Sequence, residues 1–268
     1  MKILLFCIRL LDRISPRLTV EWAAYLFATP KRIPAPSHEL ALIRGAEPIE
    51  FLCGLKAWKF GKGPPVVLMH GWEGRGSQMA AFAEPLVRKG YSVYAVDGPA
   101  HGASPGKQTT PVHFARFLMS VAQELGPLKS LIAHSFGAGS SVLAVHDGLE
   151  TESLVIIAGP DRYSRVVDHY LDMLQLKPAT RELFYKEITQ RVGMTPQSLQ
   201  VSNLAKKIKP KLLIVHDRND KAVPYEASEN IHQAVAESKM ISTEGLGHRR
   251  ILKDPAVIEK VVEFIVKN

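Results

Sequence analysis

The sequence predicts an α/β protein built on a mostly parallel sheet with helices on both faces. From Pro65 onward, short uninterrupted apolar runs such as Val66 to Met69 alternate with segments of helical periodicity. This alternation is typical of strands that are buried on both faces of a sheet. It stops between residue 161 and about residue 204, where helical patterns occur without a convincing strand. A structureless loop of that length is unusual in a compact domain, so we expect a helical cap there.

The sheet elements follow from this alternation. The predicted strands cover residues 66–69, 91–96, 128–133, 154–158, 212–215 and 240–241, and the predicted helices cover 79–87, 114–125, 140–146, 227–235 and 255–266. Weaker patterns at 39–44 and 55–60 indicate a leading antiparallel pair of strands. Together these elements predict one main domain over residues 37–268, with the cap inserted at about 161–204.

Two helical patterns precede the main domain and end before the extended connector Pro34-Ala35-Pro36. They cover residues 4–14 and 19–27, and the first repeats Leu4, Ile8, Leu11 and Ile14 at helical spacing. An amphipathic segment at residues 1–28 is compatible with peripheral contact to a membrane surface. The favoured interpretation is that residues 1–36 form helices packed on the core of the protein.

The N-terminal segment resembles the start of a signal peptide only briefly. Arg9, Asp12 and Arg13 interrupt its apolar run, and no small-residue cleavage site follows closely. No later stretch approaches membrane-spanning length. Cys7 and Cys53 have apolar neighbours and no metal or redox spacing, so they are predicted to be buried free thiols. These features predict a cytoplasmic protein without an integral membrane span.

The chain is basic, with a formal net charge of +8. Its lysines and arginines are scattered, apart from a cluster at Lys206 to Lys211, and no nucleic-acid-binding motif accompanies them. We therefore expect a solvated basic face and no nucleic-acid partner, with attraction of anionic ligands as the alternative. The sequence does not predict an oligomeric state.

The most informative stretch is Leu131 to Gly139, where an apolar run reaches Ser135 and then takes on a helical pattern. A serine hydroxyl is a nucleophile only when it is exposed, oriented and deprotonated, and a sharp strand-to-helix turn provides the first two conditions. Ala133 and Gly137 flank the serine at two positions on either side. We expect them to be small because they approach each other's backbone in the turn.

Polar residues follow the strands at the edge where parallel sheets bind their ligands. In chain order they include Ser135, Asp220 and His248. The accompanying motifs are His70-Gly71-Trp72, Asp97-Gly98-Pro99-Ala100-His101-Gly102-Ala103-Ser104, Asp220-x-x-Val223-Pro224 and Gly247-His248. Residues from about Pro65 to Asn268 thereby resemble the serine hydrolases of the α/β-hydrolase superfamily, whose order is Ser, acid, His. In the strand-to-helix turn that carries the serine, this chain has Ala133 at the position where the superfamily pattern has glycine.

The resemblance implies that Ser135 is the nucleophile, His248 the general base and Asp220 the carboxylate that orients the histidine. Asp217 and Asp161 are the alternative acids. His216 and His232 are the alternative bases, but they lie in a strand end and a helix, where a solvated or hydrogen-bonded imidazole is the default. His70 and His101 are expected to hold turns, and His134 to point away from the nucleophile. The Asp97 to Ser104 motif is likewise interpreted as a structural loop.

The oxyanion of a tetrahedral intermediate needs two hydrogen-bond donors. The resemblance assigns them to the backbone amides of Trp72 and Phe136, and both residues are also candidates for substrate binding. Metal-ligand spacing, a Walker loop and a dinucleotide fingerprint are absent from the sequence, so no cofactor or metal is expected.

These features predict a carboxylesterase that cleaves small-molecule acyl esters through an acyl-enzyme intermediate. The cap contributes apolar candidates for an acyl pocket, namely Tyr163, Leu171, Met173, Leu174, Phe184, Tyr185 and Met194. Two alternatives remain open. One is a thioesterase that acts on acyl-CoA or carrier-bound acyl groups, and the other is a binding or signalling protein that retains the fold without turnover.

Overall fold

The computed structural model describes residues 2–268, with side chains from residue 5 onward, and has the predicted α/β architecture. Eight strands form one sheet: β1 (Glu47–Glu50), β2 (Lys56–Phe60), β3 (Pro65–Met69), β4 (Ser92–Val96), β5 (Leu128–His134), β6 (Thr151–Ile157), β7 (Lys211–Asp217) and β8 (Lys239–Thr243). Their order is β1-β2-β4-β3-β5-β6-β7-β8. The pairs β1-β2 and β2-β4 are antiparallel and the other pairs are parallel.

The helices surround this sheet. They are α1 (Lys2–Ile14), α2 (Pro16–Ala28), α3 (Ser37–Leu42), a 3-10 helix (Gly76–Phe82), α4 (Ala83–Val87), α5 (Pro111–Leu125), α6 (Phe136–His146), α7 (Tyr163–Leu174), α8 (Pro178–Val192), α9 (Val201–Ala205), α10 (Glu226–Ala234), α11 (Gly247–Arg250) and α12 (Pro255–Lys267). None of the helices in residues 2–268 is long and apolar enough to cross a membrane.

Alternate residues of the central strands enter two separate apolar cores. Val67 and Met69 of β3 join the core that contains Phe114 of α5. Val66 and Leu68 of the same strand pack with residues of α4 and α12 on the opposite face. The strands are apolar without interruption because both of their faces are covered, as the sequence predicted.

One element of the main domain differs from the sequence prediction. The segment predicted as a strand at 39–44 is the helix α3, and the first strand lies at 47–50. Glu39 and Ile43, four residues apart, face the interior, whereas Leu40 and Leu42 are exposed. The helical periodicity was missed because its buried position holds a carboxylate. Both cysteines are free thiols, as predicted, but they are not buried, since Cys7 is exposed and Cys53 is half-buried.

Helices α1 and α2 pack against the cap helices α7 and α8 in a third apolar cluster. Ile8 and Val20 contribute from the N-terminal side, and Leu171 and Phe184 contribute from the cap. The side chain of Leu4, which the sequence grouped with Ile8, lies outside the described residues.

The contact of α1 and α2 with α7 and α8, here called the seam, also contains hydrogen bonds. The buried carboxylate of Asp12 accepts hydrogen bonds from the Thr180 hydroxyl (2.6 Å) and the Lys177 amide (3.1 Å). The hydroxyl of Tyr170 donates to the carbonyl of Ala23 (2.9 Å). The two N-terminal helices and the cap therefore form one packed unit above the sheet.

A buried ion pair joins α3 to the loop after β3. Arg75 Nε lies 2.8 Å from Glu39 Oε2, and both side chains are at most 10% exposed. The hydroxyl of Ser77 donates to the same carboxylate (3.0 Å), and Arg75 Nη1 donates to the carbonyl of Ile33 (2.9 Å). The connector before α3 is thereby fixed next to the loop that carries Trp72.

We predict that Glu39→Ala lowers the free energy of unfolding by about 3–5 kcal/mol, because it leaves a buried guanidinium without its partner. Urea denaturation measures this change. Glu50→Ala is the matched control, since its ion pair with Lys56 is exposed, and it should cost about 1 kcal/mol or less. Equal effects of the two substitutions would contradict the assigned role of the buried pair.

Candidate active site

Ser135 occupies the turn between β5 and α6. Its backbone has φ 53° and ψ −122°, a left-handed region that non-glycine residues rarely adopt. The amide of Ser135 donates to the carbonyl of Ile157 in the neighbouring strand (2.9 Å), which fixes the turn to the sheet. This conformation presents the serine hydroxyl at the carboxyl edge of the sheet.

The small residues around Ser135 are required by contacts with the end of β3. A Cβ at Gly137 would lie 2.2 Å from the carbonyl oxygen of His70. A Cβ at Gly71 would lie 2.8 Å from the Ser135 Cβ. Gly137 was expected from the sequence to be small because it approaches Ala133, but the group that it approaches is the His70 carbonyl. The neighbouring strand therefore imposes the constraint at Gly137.

The structure brings Ser135, Asp220 and His248 together, although 113 positions separate Ser135 from His248 in the sequence. His248 Nε2 lies 3.0 Å from Ser135 Oγ, and His248 Nδ1 lies 2.7 Å from Asp220 Oδ2. The Asp220 side chain is fully buried, and that of His248 is 18% exposed. With Nδ1–H donating to the carboxylate, Nε2 is free to accept the serine proton.

Asp220 is held in its ionised form by several donors. One carboxylate oxygen accepts hydrogen bonds from the amides of Ala222 (2.8 Å) and Val223 (3.0 Å). The other accepts from His248 and lies 3.2 Å from His216 Nε2. Burial raises the pKa of Asp220, but the hydrogen bonds from His216, His248 and Val223 outweigh it and lower the pKa below its ordinary value.

The contact of His216 with Asp220 was missed by the sequence analysis, which considered this histidine only as an alternative base. Ser228 Oγ lies 2.6 Å from its Nδ1, and the carbonyl of Val223 lies 3.1 Å from its Nε2. Because carbonyl and carboxylate oxygens only accept, the Nε2–H of His216 donates to both. The signal that could have identified this residue is its position at the end of β7, four residues before the acid in the following loop.

The two alternative acids have other partners. The carboxylate of Asp217 accepts hydrogen bonds from the Thr243 hydroxyl (2.7 Å) and from the amides of Asn219 (3.0 Å) and Leu246 (2.9 Å). It thereby joins the loops that carry Asp220 and His248. Asp161 accepts from the amide of Ser202 (2.9 Å) at the start of α9. Of the three candidate acids, Asp220 is therefore the one hydrogen-bonded to His248.

His134 does not point away from the site, as the sequence suggested. Its Nε2–H donates to the carbonyl of His248 (2.9 Å), and the two rings are 4.6 Å apart. The segment that carries His248 crosses the end of β5, which places the two histidines in contact. Burial, followed by the nearby His248, lowers the pKa of His134 to about 3, so its ring is neutral at physiological pH.

His70 and His101 hold backbone, and His232 contacts a side chain. His70 Nε2 accepts from the Gly98 amide (2.9 Å), and its Nδ1–H donates to the carbonyl of Gly71 (2.7 Å). Burial and the neighbouring His101 lower the pKa of His70 to about 3. His101 accepts from the Glu73 amide (3.0 Å), and His232 pairs with the hydroxyl of Ser238 (2.7 Å).

The Asp97 to Ser104 motif is a hydrogen-bonded loop. The Asp97 carboxylate accepts from the amides of Gly76 (2.6 Å) and Ala103 (2.8 Å), and the Ser104 hydroxyl donates to the Asp97 carbonyl (2.6 Å). Burial raises the pKa of Asp97 despite these hydrogen bonds. All of these partners belong to the loop or to the start of the 3-10 helix, so the motif orders backbone beside the site.

Trp72 and Phe136 flank the serine, with ring centroids 5.1 Å apart. Phe136 is the first residue of α6, so its amide lacks a partner within the helix. Neither this amide nor that of Trp72 donates to an acceptor within residues 2–268. Two free donors and the positive end of the α6 dipole are therefore available near Ser135.

A cavity of about 540 Å³ opens onto these residues and includes Trp72, Ser135, Phe136 and His248 in its lining. Of the cap residues predicted to line an acyl pocket, Tyr163, Met173, Leu174 and Met194 do so, whereas Leu171, Phe184 and Tyr185 pack in the seam with α1 and α2. The N-terminal helices contribute Leu5, Ile8, Leu26 and Phe27, which the sequence analysis had not assigned to the pocket. The resulting cavity is mainly apolar.

Two polar groups in this lining are unusual. The hydroxyls of Thr109 and Tyr163 are buried and have no hydrogen-bond partner within the described part of the chain. Burial raises the pKa of Tyr163 well above its ordinary value, so the phenol stays protonated and can donate.

Comparisons with known proteins agree with this architecture. The chain is 49% identical over 45 residues to pimeloyl-(acyl-carrier protein) methyl ester esterase from Chromobacterium violaceum, a match that spans 17% of each sequence. It is structurally similar to an esterase from Exiguobacterium antarcticum, with a TM-score of 0.64, 22% identity and coverage of 83% of this chain and 100% of that one. It is also structurally similar to a monoacylglycerol lipase from Paleococcus ferrophilus, with a TM-score of 0.63, 23% identity and coverage of 80% of this chain and 98% of that one.

A sequence model of the alpha/beta hydrolase family matches residues 66–261. This range contains strands β4 to β8 and all of β3 except its first residue. The match contains the strand-to-helix turn at Ser135, the cap and the segment with His248. This chain belongs to the alpha/beta hydrolase family.

Proposed function

We propose that this protein is a serine hydrolase that cleaves carboxylic esters of apolar acyl groups through an acyl-enzyme intermediate. The observation that carries the proposal is the hydrogen-bonded series Ser135, His248 and Asp220 at the wall of a mainly apolar cavity. The short match to a methyl ester esterase supports the same bond type.

In the first half of the reaction, Ser135 Oγ attacks the ester carbonyl carbon while His248 Nε2 takes the hydroxyl proton. The carbonyl oxygen gains the negative charge and accepts hydrogen bonds from the amides of Trp72 and Phe136. Asp220 stabilises the imidazolium and keeps its ring oriented. Collapse of the intermediate breaks the bond to the alkoxy oxygen, which takes the proton from His248 and leaves as an alcohol.

In the second half, water attacks the acyl carbon and gives a proton to His248 Nε2. The second tetrahedral intermediate collapses, the bond to Ser135 Oγ breaks, and the serine recovers its proton as the carboxylic acid leaves. His216 takes no part in proton transfer in this scheme, because its Nε2–H points to Asp220 and Val223. It positions the carboxylate.

We predict that Ser135→Ala and His248→Ala each lower esterase kcat by about three orders of magnitude or more, and Asp220→Asn by about two or more. Steady-state hydrolysis of a chromogenic ester measures these losses. His146→Gln, at the far end of α6, is the control and should retain wild-type activity.

Labelling with a fluorophosphonate separates this proposal from a non-catalytic member of the fold, since the reagent requires an activated serine. The wild-type protein should be labelled at Ser135, and folded His248→Ala should be labelled slowly. Absence of labelling in the wild type would overturn the catalytic proposal.

The cavity predicts a preference for medium-length acyl chains over acetate. We expect kcat/KM for an octanoyl ester to exceed that for the acetyl ester by about tenfold or more, because each buried methylene contributes about 0.8 kcal/mol. Met194→Trp, which fills part of the lining, should reduce octanoyl turnover and spare acetyl turnover. Leu183→Trp, at a more exposed position of the cap, is the matched control. A common effect of both substitutions on both esters would refute the pocket assignment.

The thioesterase alternative has one structural observation in its favour. Lys31 and Arg191 line the cavity and could contact the phosphate groups of coenzyme A. We predict that a neutral ester is hydrolysed more efficiently than the acyl-CoA of equal chain length, with little dependence on salt. Higher efficiency for acyl-CoA that falls with ionic strength and with Lys31→Glu would establish the alternative, because such contacts are screened within about 8–10 Å.

A further inference from the structure

The N-terminal helices carry large apolar side chains that remain exposed among the residues whose side chains the structure describes. They are Phe6, Leu10 and Ile14 on α1 and Leu18, Trp22 and Tyr25 on α2, here called the outer face, and each is between 48% and 73% exposed. Exposed apolar residues scattered singly need no explanation, but a group of six within twenty consecutive residues marks an interaction site.

The six residues share one side of the packed helices. On α1 they recur every four residues, and on α2 they lie at positions 18, 22 and 25, so each set forms a helical stripe. The opposite sides, with Ile8, Ala23 and Ala24, pack on the same cap cluster. Because both helices bury their inner sides against the cap, both stripes lie on the sides that are not buried there. The six side chains therefore remain exposed even though α1 and α2 are packed on the cap.

The charges beside the outer face favour an anionic partner. Arg13 and Arg17 are exposed at the junction of the two helices, with Glu21 as the exposed acidic residue of this segment. Asp12 is buried and bonded to the cap, so its charge faces the interior. Arginine side chains lay their apolar stems along such a surface and extend the guanidinium to headgroup phosphates. The net charge of +8 adds long-range attraction to an anionic surface.

The outer face also lies next to the catalytic cavity. Trp22 and Tyr25 line a second cavity of about 600 Å³ between α2 and α8. This second cavity shares Leu26 and Arg191 with the cavity that contains Ser135. An acyl chain at the second cavity would thus lie beside the wall of the catalytic cavity, a proximity that a docking site for a protein partner does not require.

We propose that the outer face binds the surface of a lipid bilayer that contains anionic headgroups. The helices lie in the interface with Phe6, Leu10, Ile14, Leu18, Trp22 and Tyr25 among the upper acyl chains, and Arg13 and Arg17 contact headgroup phosphates. This binding goes beyond the proposed function, because it needs neither Ser135 nor turnover. The packing and membrane interpretations of residues 1–28 are compatible, since opposite sides of the same helices carry them.

The test uses the full-length Ser135→Ala protein, so that hydrolysis cannot alter the lipid. Its sedimentation is measured with vesicles of phosphatidylcholine alone and with vesicles of equimolar phosphatidylcholine and phosphatidylglycerol. We expect clear binding to the anionic vesicles, weakened by salt. Combined Ile14→Ser and Trp22→Ser should weaken it by about tenfold or more, since each removes a large inserted side chain. Combined Leu40→Ser and Leu52→Ser, which alter exposed leucines outside the outer face, should leave it unchanged.

Two results would overturn the proposal. One is sedimentation with neither vesicle, or sedimentation that Ile14→Ser and Trp22→Ser leave unchanged while urea denaturation shows the variant to be folded. The other is a stable wild-type dimer in solution that the same substitutions convert to a monomer, which would assign the outer face to a second copy of the chain. Fluorophosphonate labelling of the wild type is independent of both results, so failure of the catalytic proposal would be recognised separately.

Discussion

The site depends on one steric constraint, the left-handed backbone of Ser135 at the junction of β5 and α6. That conformation is held by the bond from its amide to β6 and by the close approach of Gly137 to the carbonyl of His70. Strain of this kind costs of order 1–3 kcal/mol and persists only where the surroundings enforce it. Here the enforcing surroundings are the parallel strands on either side, so the buried sheet is what keeps Ser135 at the wall of the cavity.

The same sheet edge organises the other polar groups. Asp217 joins the loops after β7 and β8 through three hydrogen bonds, and those loops carry Asp220 and His248. His216 contacts the carboxylate of Asp220, and His134 donates to the backbone carbonyl of His248. Because burial keeps His134 neutral, it adds no positive charge next to the imidazole that accepts the serine proton. Several neutral or paired groups thus support the three residues to which we assign the chemistry.

The sequence predicted the sheet and the position of the candidate site because both leave local patterns. Strands covered on both faces are uninterrupted apolar runs, and the residues after them are the ones at the ligand-binding edge. What it missed depends on contacts between distant segments. Asp12 bonds to Lys177 across 165 positions, and α1 and α2 become walls of the cavity only through that seam. The helix α3 was missed because its inward position is Glu39, whose burial requires the distant Arg75.

The seam between the N-terminal helices and the cap has a thermodynamic consequence. Leu5, Ile8, Leu26 and Phe27 contact the cavity on one side of this seam, while Tyr163, Met173 and Leu174 contact it on the other. A molecule bound between them stabilises the closed arrangement over any locally opened one, by mass action. Ligand occupancy therefore raises the free energy of local opening at this seam. Amide hydrogens in α1 and α2 consequently exchange more slowly when the cavity is occupied.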